Sequence, residues 1–274
     1  MTEVPLKVTP TDFAANKALR PQLVAAAAAK PEAEKKLTIR PLAKRTTGHK
    51  LDGDLADWGD PAAFITIGDP AMKLSFDAAY DTDGLYIAYR GTSDLGNASE
   101  KISTLFKTGF SMDFQYRSNP NAKGSAVAVG DRRIVIAPWK DKWTATLYDY
   151  LDPGTPADKY VEFSSPLITT RVAHVGPLAE GKVAVVVRQP PAKPGERAIS
   201  QWSAEVFLPW KHLGVRPDPK TPLRCDFGIL TPDSGGVRVE KRTYWSNRAT
   251  DMVADLGMEA QINPAAWGTA TFSE

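Results

Sequence analysis

Five aspartates offer the first recognisable chemistry in this chain. Asp52, Asp54 and Asp57 crowd into Leu51-Asp52-Gly53-Asp54-Leu55-Ala56-Asp57-Trp58, and Asp81 and Asp83 flank a turn in Ala79-Tyr80-Asp81-Thr82-Asp83-Gly84-Leu85. Hard cations take several oxygen ligands, and Asp-rich loops supply them, so calcium in a structural role is the ion these turns would hold. The same residues have a plainer use, because Asp and Gly favour turns through side-chain-to-backbone hydrogen bonds and positive φ. The twelve-residue calcium-loop pattern is absent. The three histidines, His49, His174 and His212, stand outside helical or hairpin spacing of one another, so no histidine-rich zinc site is expected. No GxSxG elbow, P-loop, HExxH or GxGxxG occurs, and no pair of acids stands out for glycoside hydrolysis.

Aromatic residues are the second resource. A sugar ring lays its C–H face on an indole while its hydroxyls reach polar groups at the rim. Of the seven tryptophans, Trp58, Trp202 and Trp210 sit in apolar patterns or at strand ends and read as core. Trp139 and Trp143 bracket Lys140-Asp141-Lys142 in a hairpin-like loop. Trp245 ends an apparent strand between Arg242-Thr243-Tyr244 and Ser246-Asn247-Arg248, which makes it the platform candidate, although a buried sheet-end indole fits the same pattern. An exposed Trp245 predicts that Trp245→Ala abolishes sugar retention and leaves the melting temperature nearly unchanged.

The elements that would position these groups follow a period of two. Leu74, Phe76, Ala78 and Tyr80 share one face; Phe110, Met112, Phe114 and Tyr116 alternate with Ser111, Asp113, Gln115 and Arg117; Trp202, Ala204, Val206 and Leu208 alternate with Ser203, Glu205 and Phe207. Such alternation predicts strands with one face in a core and the other wetter. Further strands are expected at 125–129, 133–137, 143–150, 183–188, 223–230 and 237–245, separated by turn signals such as Asp152-Pro153-Gly154. One helical turn is expected at Pro209–Gly214. Short strands without long helices between them predict an all-β fold, an antiparallel β-sandwich of jelly-roll or immunoglobulin-like type with few short helices. Residues 1–36, with an alanine run fenced by Pro21 and Pro31, read as a linker or loosely docked arm, or as the tail of a preceding domain. Residues 37–274 read as a single sandwich domain.

Composition narrows the function classes. Lys and Arg total 34 against 32 Asp and Glu, a formal charge of +2, which lacks the basic excess of a nucleic-acid surface. No apolar run is long enough for a membrane span, and residues 1–20 lack the pattern of a secretion signal. The single cysteine, Cys225, shares a face with Leu223, Phe227 and Ile229 and reads as a small buried apolar residue.

Four motifs resemble, in order, those of family 9 carbohydrate-binding modules and the wider DOMON-like sandwiches that bind sugar or haem. They are Leu51-Asp52-Gly53 with Asp57-Trp58; Ala78-Ala79-Tyr80-Asp81 with Leu85-Tyr86-Ile87-Ala88; Glu205-Val206-Phe207-Leu208-Pro209-Trp210; and Trp245 with Pro264-Ala265-Ala266-Trp267-Gly268. The resemblance spans roughly residues 45–272. It implies a non-catalytic module of a larger extracytoplasmic protein whose partners are a carbohydrate or neighbouring domains. In that family two tryptophans sandwich a terminal sugar. Trp245 matches one; at the other position this chain offers Phe106 and Phe110, with Asp113, Asn247 and Arg248 to bond hydroxyls. A structural or protein-interaction sandwich that has lost the sugar site is the second reading. A haem-bearing domain, with axial ligands among Met72, Met112, Met252, Met258 and His174, is the third.

Overall fold

The computed structural model describes residues 34–44, 48–68, 74–188, 200–233, 237–250 and 255–274. The expected arm at 1–36 lies almost wholly outside these residues, as do Met72 and Met252. Fifteen strands are seen among the described residues: β1 (Lys36–Pro41), β2 (Ile65–Ile67), β3 (Leu74–Tyr80), β4 (Gly84–Ser93), β5 (Ser111–Arg117), β6 (Asp131–Trp139), β7 (Lys142–Asp149), β8 (Val161–Ser164), β9 (Thr169–Val172), β10 (His174–Pro177), β11 (Lys182–Arg188), β12 (Ser200–Pro209), β13 (Leu223–Pro232), β14 (Val239–Tyr244) and β15 (Gly268–Phe272). Two single-turn helices accompany them, α1 (Trp210–Leu213) and α2 (Leu256–Glu259).

One run of paired strands carries β10-β7-β6-β5-β13-β15, with β14 on β13, and a second carries β3-β4-β12-β11, with β2 on β3. Their core-facing residues are those read from the alternation: Phe76, Ala78, Ile87, Ala204 and Val206 from one layer, Met112, Phe114, Ile134, Ile136, Cys225 and Phe227 from the other. The architecture is the expected all-β sandwich, but it is not wholly antiparallel. β1 runs parallel to β15 through Lys36–Ile39 and then parallel to β3 through Arg40 and Pro41, so one strand stitches the two layers into a curled mixed sheet. Its Leu37 and Ile39 point into the core. Pro41 has no N–H to extend the ladder, and the strand stops there.

Hairpin chemistry explains the tight connections. Asp81 Oδ1 accepts from the N–H groups of Asp83 and Gly84 at 2.8 and 3.0 Å, closing the β3–β4 turn. Between β6 and β7, Lys140 and Asp141 both adopt positive φ (47° and 63°), the twist that suits a two-residue hairpin. Residues 125–129, expected as a strand, form bends and irregular chain leading into a turn instead.

The expectation of one wet face fails on β5, whose residues are all buried. Its polar face lies under a second apolar layer built from Leu105, Phe106, Phe163, Val172, Ile262 and Trp267, contributed by the 102–106 turn, the β8–β9 hairpin and the chain around α2. The charges beneath this cover are paired, as burial requires. Arg133 Nη2 contacts Asp113 Oδ2 at 2.7 Å, and Tyr244 Oη donates to the same oxygen at 2.5 Å. Glu259 of α2 pairs with Arg242 and Lys107.

Candidate functional site

The residues expected to grip a sugar are dispersed through the interior. Trp245 is 4% exposed and packs edge-on against Phe76 and Phe227 at 6.5 and 6.3 Å between ring centroids. A Cβ on Gly268 would sit 2.5 Å from its indole, so the ring also closes against the Gly268 backbone. It has no open face for a sugar, which corrects the platform expectation. Phe110 belongs to the same core, edge-on to Trp202 and Trp143. Phe106 lies in the layer beyond the sheet, with the Arg133 guanidinium 5.0 Å above its ring, so Phe106 and Trp245 face no common cleft. Asp113 is fully buried and bound to Arg133 and Tyr244. Asn247 is half-buried, and its N–H donates to Asp226 Oδ2 at 2.8 Å; Arg248 is exposed. Burial pushes the Asp226 carboxyl up to about 7, although N–H groups of Ser246, Asn247 and Phe227 oppose the shift.

The five aspartates do not close a common shell. Asp52 and Asp54 each accept a backbone N–H two residues on, and Asp81 spends one oxygen on its turn and the other on Tyr86 Oη. Asp83 stands at the exposed tip of the hairpin. Only Asp57 points to a different cluster, with His49 and Glu205. Two of the haem donors, Met112 and His174, are likewise apart. Met112 is buried on β5 and His174 is exposed on β10, three strand spacings away or about 14 Å.

An open groove of about 1130 Å³ lies on the outer side of the β4-β12-β11 layer. Its aromatic wall was legible only as outward positions of alternating strands. Tyr86 on β4 and Phe207 on β12 are register partners, both half-buried, with ring centroids 4.9 Å apart. His49 meets Tyr86 edge-on at 5.1 Å. Lys182 Nζ lies 6.0 Å from the centre of the Phe207 ring, and Asp83, Glu180, Lys211 and Arg216 supply charge at the margin. Lys211 and His212 hold the Glu180 carboxyl below its usual range. Trp210, at the foot of the groove, is anchored through its indole N–H to Asp81 O at 2.9 Å.

The loop carrying Asp52–Trp58 is clamped beside this groove by Glu205. One carboxylate oxygen accepts from the N–H groups of Asp52 and Gly53, each at 2.8 Å, and the other from the Trp58 indole at 2.7 Å. Gly53, at φ 84°, passes so close to β11 that a Cβ would stand 2.9 Å from Val185 N. This is the physical use of the Asp-Gly-x-x-x-Asp-Trp pattern: it seals Trp58 over a third apolar cluster with Phe64, Ala79 and Ala88.

No protein-family profile matches the chain, and no curated protein matches it. Among solved structures, the fold is similar to that of a family 9 carbohydrate-binding module from Caldicellulosiruptor kristjanssonii in complex with glucose. That match has a TM-score of 0.48 and 13% identity, over 87% of this chain and 96% of that one. A cellotriose complex of a family 9 module from the same organism gives a TM-score of 0.47 and 14% identity, over 87% and 94%. At such identities the likeness is one of fold, and no functional residue is carried across.

Proposed function

We propose that this chain is a non-catalytic carbohydrate-binding module of a larger extracytoplasmic protein, with its sugar in the groove beside Tyr86 and Phe207. The observation that carries the reading is the pairing of two half-buried aromatic rings with a margin of opposite charges. An apolar ring face suits sugar C–H groups, and the ammonium and carboxylate groups around it suit hydroxyls. The motif resemblance supports the same class of ligand.

The test is a panel of soluble polysaccharides and arrayed glycans, read by retention and by tryptophan emission, with and without calcium. Trp210 lies close enough to report on an occupied groove. Phe207→Ala and Lys182→Ala should each weaken retention at least about tenfold, the loss of roughly 1.4 kcal/mol expected when a stacked ring or charged hydrogen bond goes. Binding that ignores both substitutions would refute the groove. Silence across the panel from folded protein would refute the sugar reading and favour an interaction domain.

A further inference from the structure

We propose that His49, Asp57 and Glu205 form a site for one borderline transition-metal ion, of which zinc is the natural probe. The assignment does not rest on the carbohydrate reading. It starts from side chains drawn from a loop and a distant strand: His49 Nδ1 lies 3.4 Å from Asp57 Oδ2 and 3.6 Å from Glu205 Oε1. One ligand atom from each residue lies within 4.8 Å of the other two. Zinc bonds of 2.0–2.1 Å in a tetrahedron hold neighbouring ligand atoms about 3.3–3.4 Å apart. The imidazole therefore already stands near the separations the ion would impose.

Unspent bonding capacity points the same way. Both ring nitrogens of His49 and Oδ1 of Asp57 are shielded from solvent and have no hydrogen-bond partner. A buried polar atom left unpaired costs about 1–3 kcal/mol, so several together ask for a ligand. Among the described residues, neither Asp57 nor Glu205 pairs with a lysine or arginine, so two negative charges converge on the imidazole without a permanent cation.

The surroundings are those of a held metal site. Ligating carboxylates are normally oriented by hydrogen bonds from outside the shell. Here the Trp58 indole donates to Glu205 Oε1 at 2.7 Å, and Lys50 N–H donates to Asp57 Oδ2 at 2.9 Å. The His49 ring is fixed edge-on between Trp58 and Tyr86, with centroids at 6.0 and 5.1 Å. Imidazole with carboxylate suits zinc and its neighbours, whereas calcium and magnesium prefer shells of oxygen. His49 also lines the groove, which provides a path from solvent. Three protein ligands leave a coordination position for water.

The experiment uses the full chain without an affinity tag, stripped by chelator and dialysed. Zinc, manganese and calcium are each titrated calorimetrically, and retained metal is counted by mass spectrometry. The expected result is one zinc per chain and a rise in melting temperature on loading. Removal of a direct ligand should weaken zinc at least about 100-fold, the upper end of what outer-shell changes cost. His49→Phe keeps the ring packing against Trp58 and Tyr86 while removing both nitrogens. Asp57→Asn is the second variant, and circular dichroism checks that each is folded. Absence of zinc binding, zinc binding unchanged in both folded variants, or calcium bound in preference at these residues would each overturn the assignment.

Discussion

Replacing Glu205 by glutamine alters one oxygen and removes one charge at the point where the Asp52–Trp58 loop meets β12. The carboxylate accepts three N–H groups at 2.7–2.8 Å and is fully buried. A glutamine can turn its oxygen toward Asp52 and Gly53, but its amide then faces the Trp58 indole N–H, donor against donor. Leaving that indole unsatisfied costs about 1–3 kcal/mol, and the two retained bonds each lose roughly 1 kcal/mol with the charge. Glu205→Gln should therefore cost about 3–5 kcal/mol, a large share of the roughly 5–15 kcal/mol that holds a domain together. Trp58→Phe removes the opposing donor and should cost about 2–3 kcal/mol through the lost bond and the smaller ring. In the double variant the donor conflict disappears. Its loss should fall short of the sum of the singles by about 1–3 kcal/mol. Guanidinium unfolding followed by far-ultraviolet circular dichroism at pH 7 measures all three, with chelator present so that bound metal contributes nothing. Additivity within about 0.5 kcal/mol would refute the proposed geometry, since uncoupled sites behave that way.

Two further outcomes follow from buried groups. Trp245→Ala should destabilise by about 3–5 kcal/mol, lowering the melting temperature by roughly 10 °C in a domain of this size; a change under about 2 °C would restore the exposed-platform expectation. Asp226 is held near 7 against an ordinary 3.8, so between those pH values the folded chain keeps a proton that the unfolded chain has released. Stability from this group therefore falls as pH rises through that window, by up to about 4 kcal/mol. Relative to wild type, Asp226→Asn should be less stable at pH 5 and recover ground by pH 8, and a constant gap in urea midpoints would contradict the shifted carboxyl.

The strands around the central core were legible because their apolar residues alternate without interruption, as in Phe110-Ser111-Met112-Asp113-Phe114. The burial of the intervening polar residues was not. Asp113 and Gln115 look like solvent-facing positions until Arg133, Tyr244 and Trp267 arrive from other segments to satisfy them. That coverage is tertiary and leaves no local period. The same limit governed Trp245, whose neighbours allowed either an open platform or a covered sheet end. Strands β8, β9 and β10 have four residues each, too few to stand out as alternation. The His49, Asp57 and Glu205 cluster defeated a search by histidine spacing, because its members meet only when the loop folds onto β12.

The parallel strand β1 has a consequence for synthesis. Lys36 is matched with Thr269 and Ile39 with Phe272, so the seam joining the layers pairs segments more than two hundred residues apart in the chain. Proteins are made from the amino end at about 5–20 residues per second, and distant pairings carry the largest loop-closure cost in folding. While the ribosome is still adding the middle of this chain, only Arg40 and Pro41 of β1 have a strand beside them, and Lys36–Ile39 stay unpaired until residues 268–272 emerge. The nascent protein thus spends ten seconds or more, on the order set by that rate, with an unpaired apolar strand edge. During this interval a chaperone or a neighbouring nascent chain has a strand to grip.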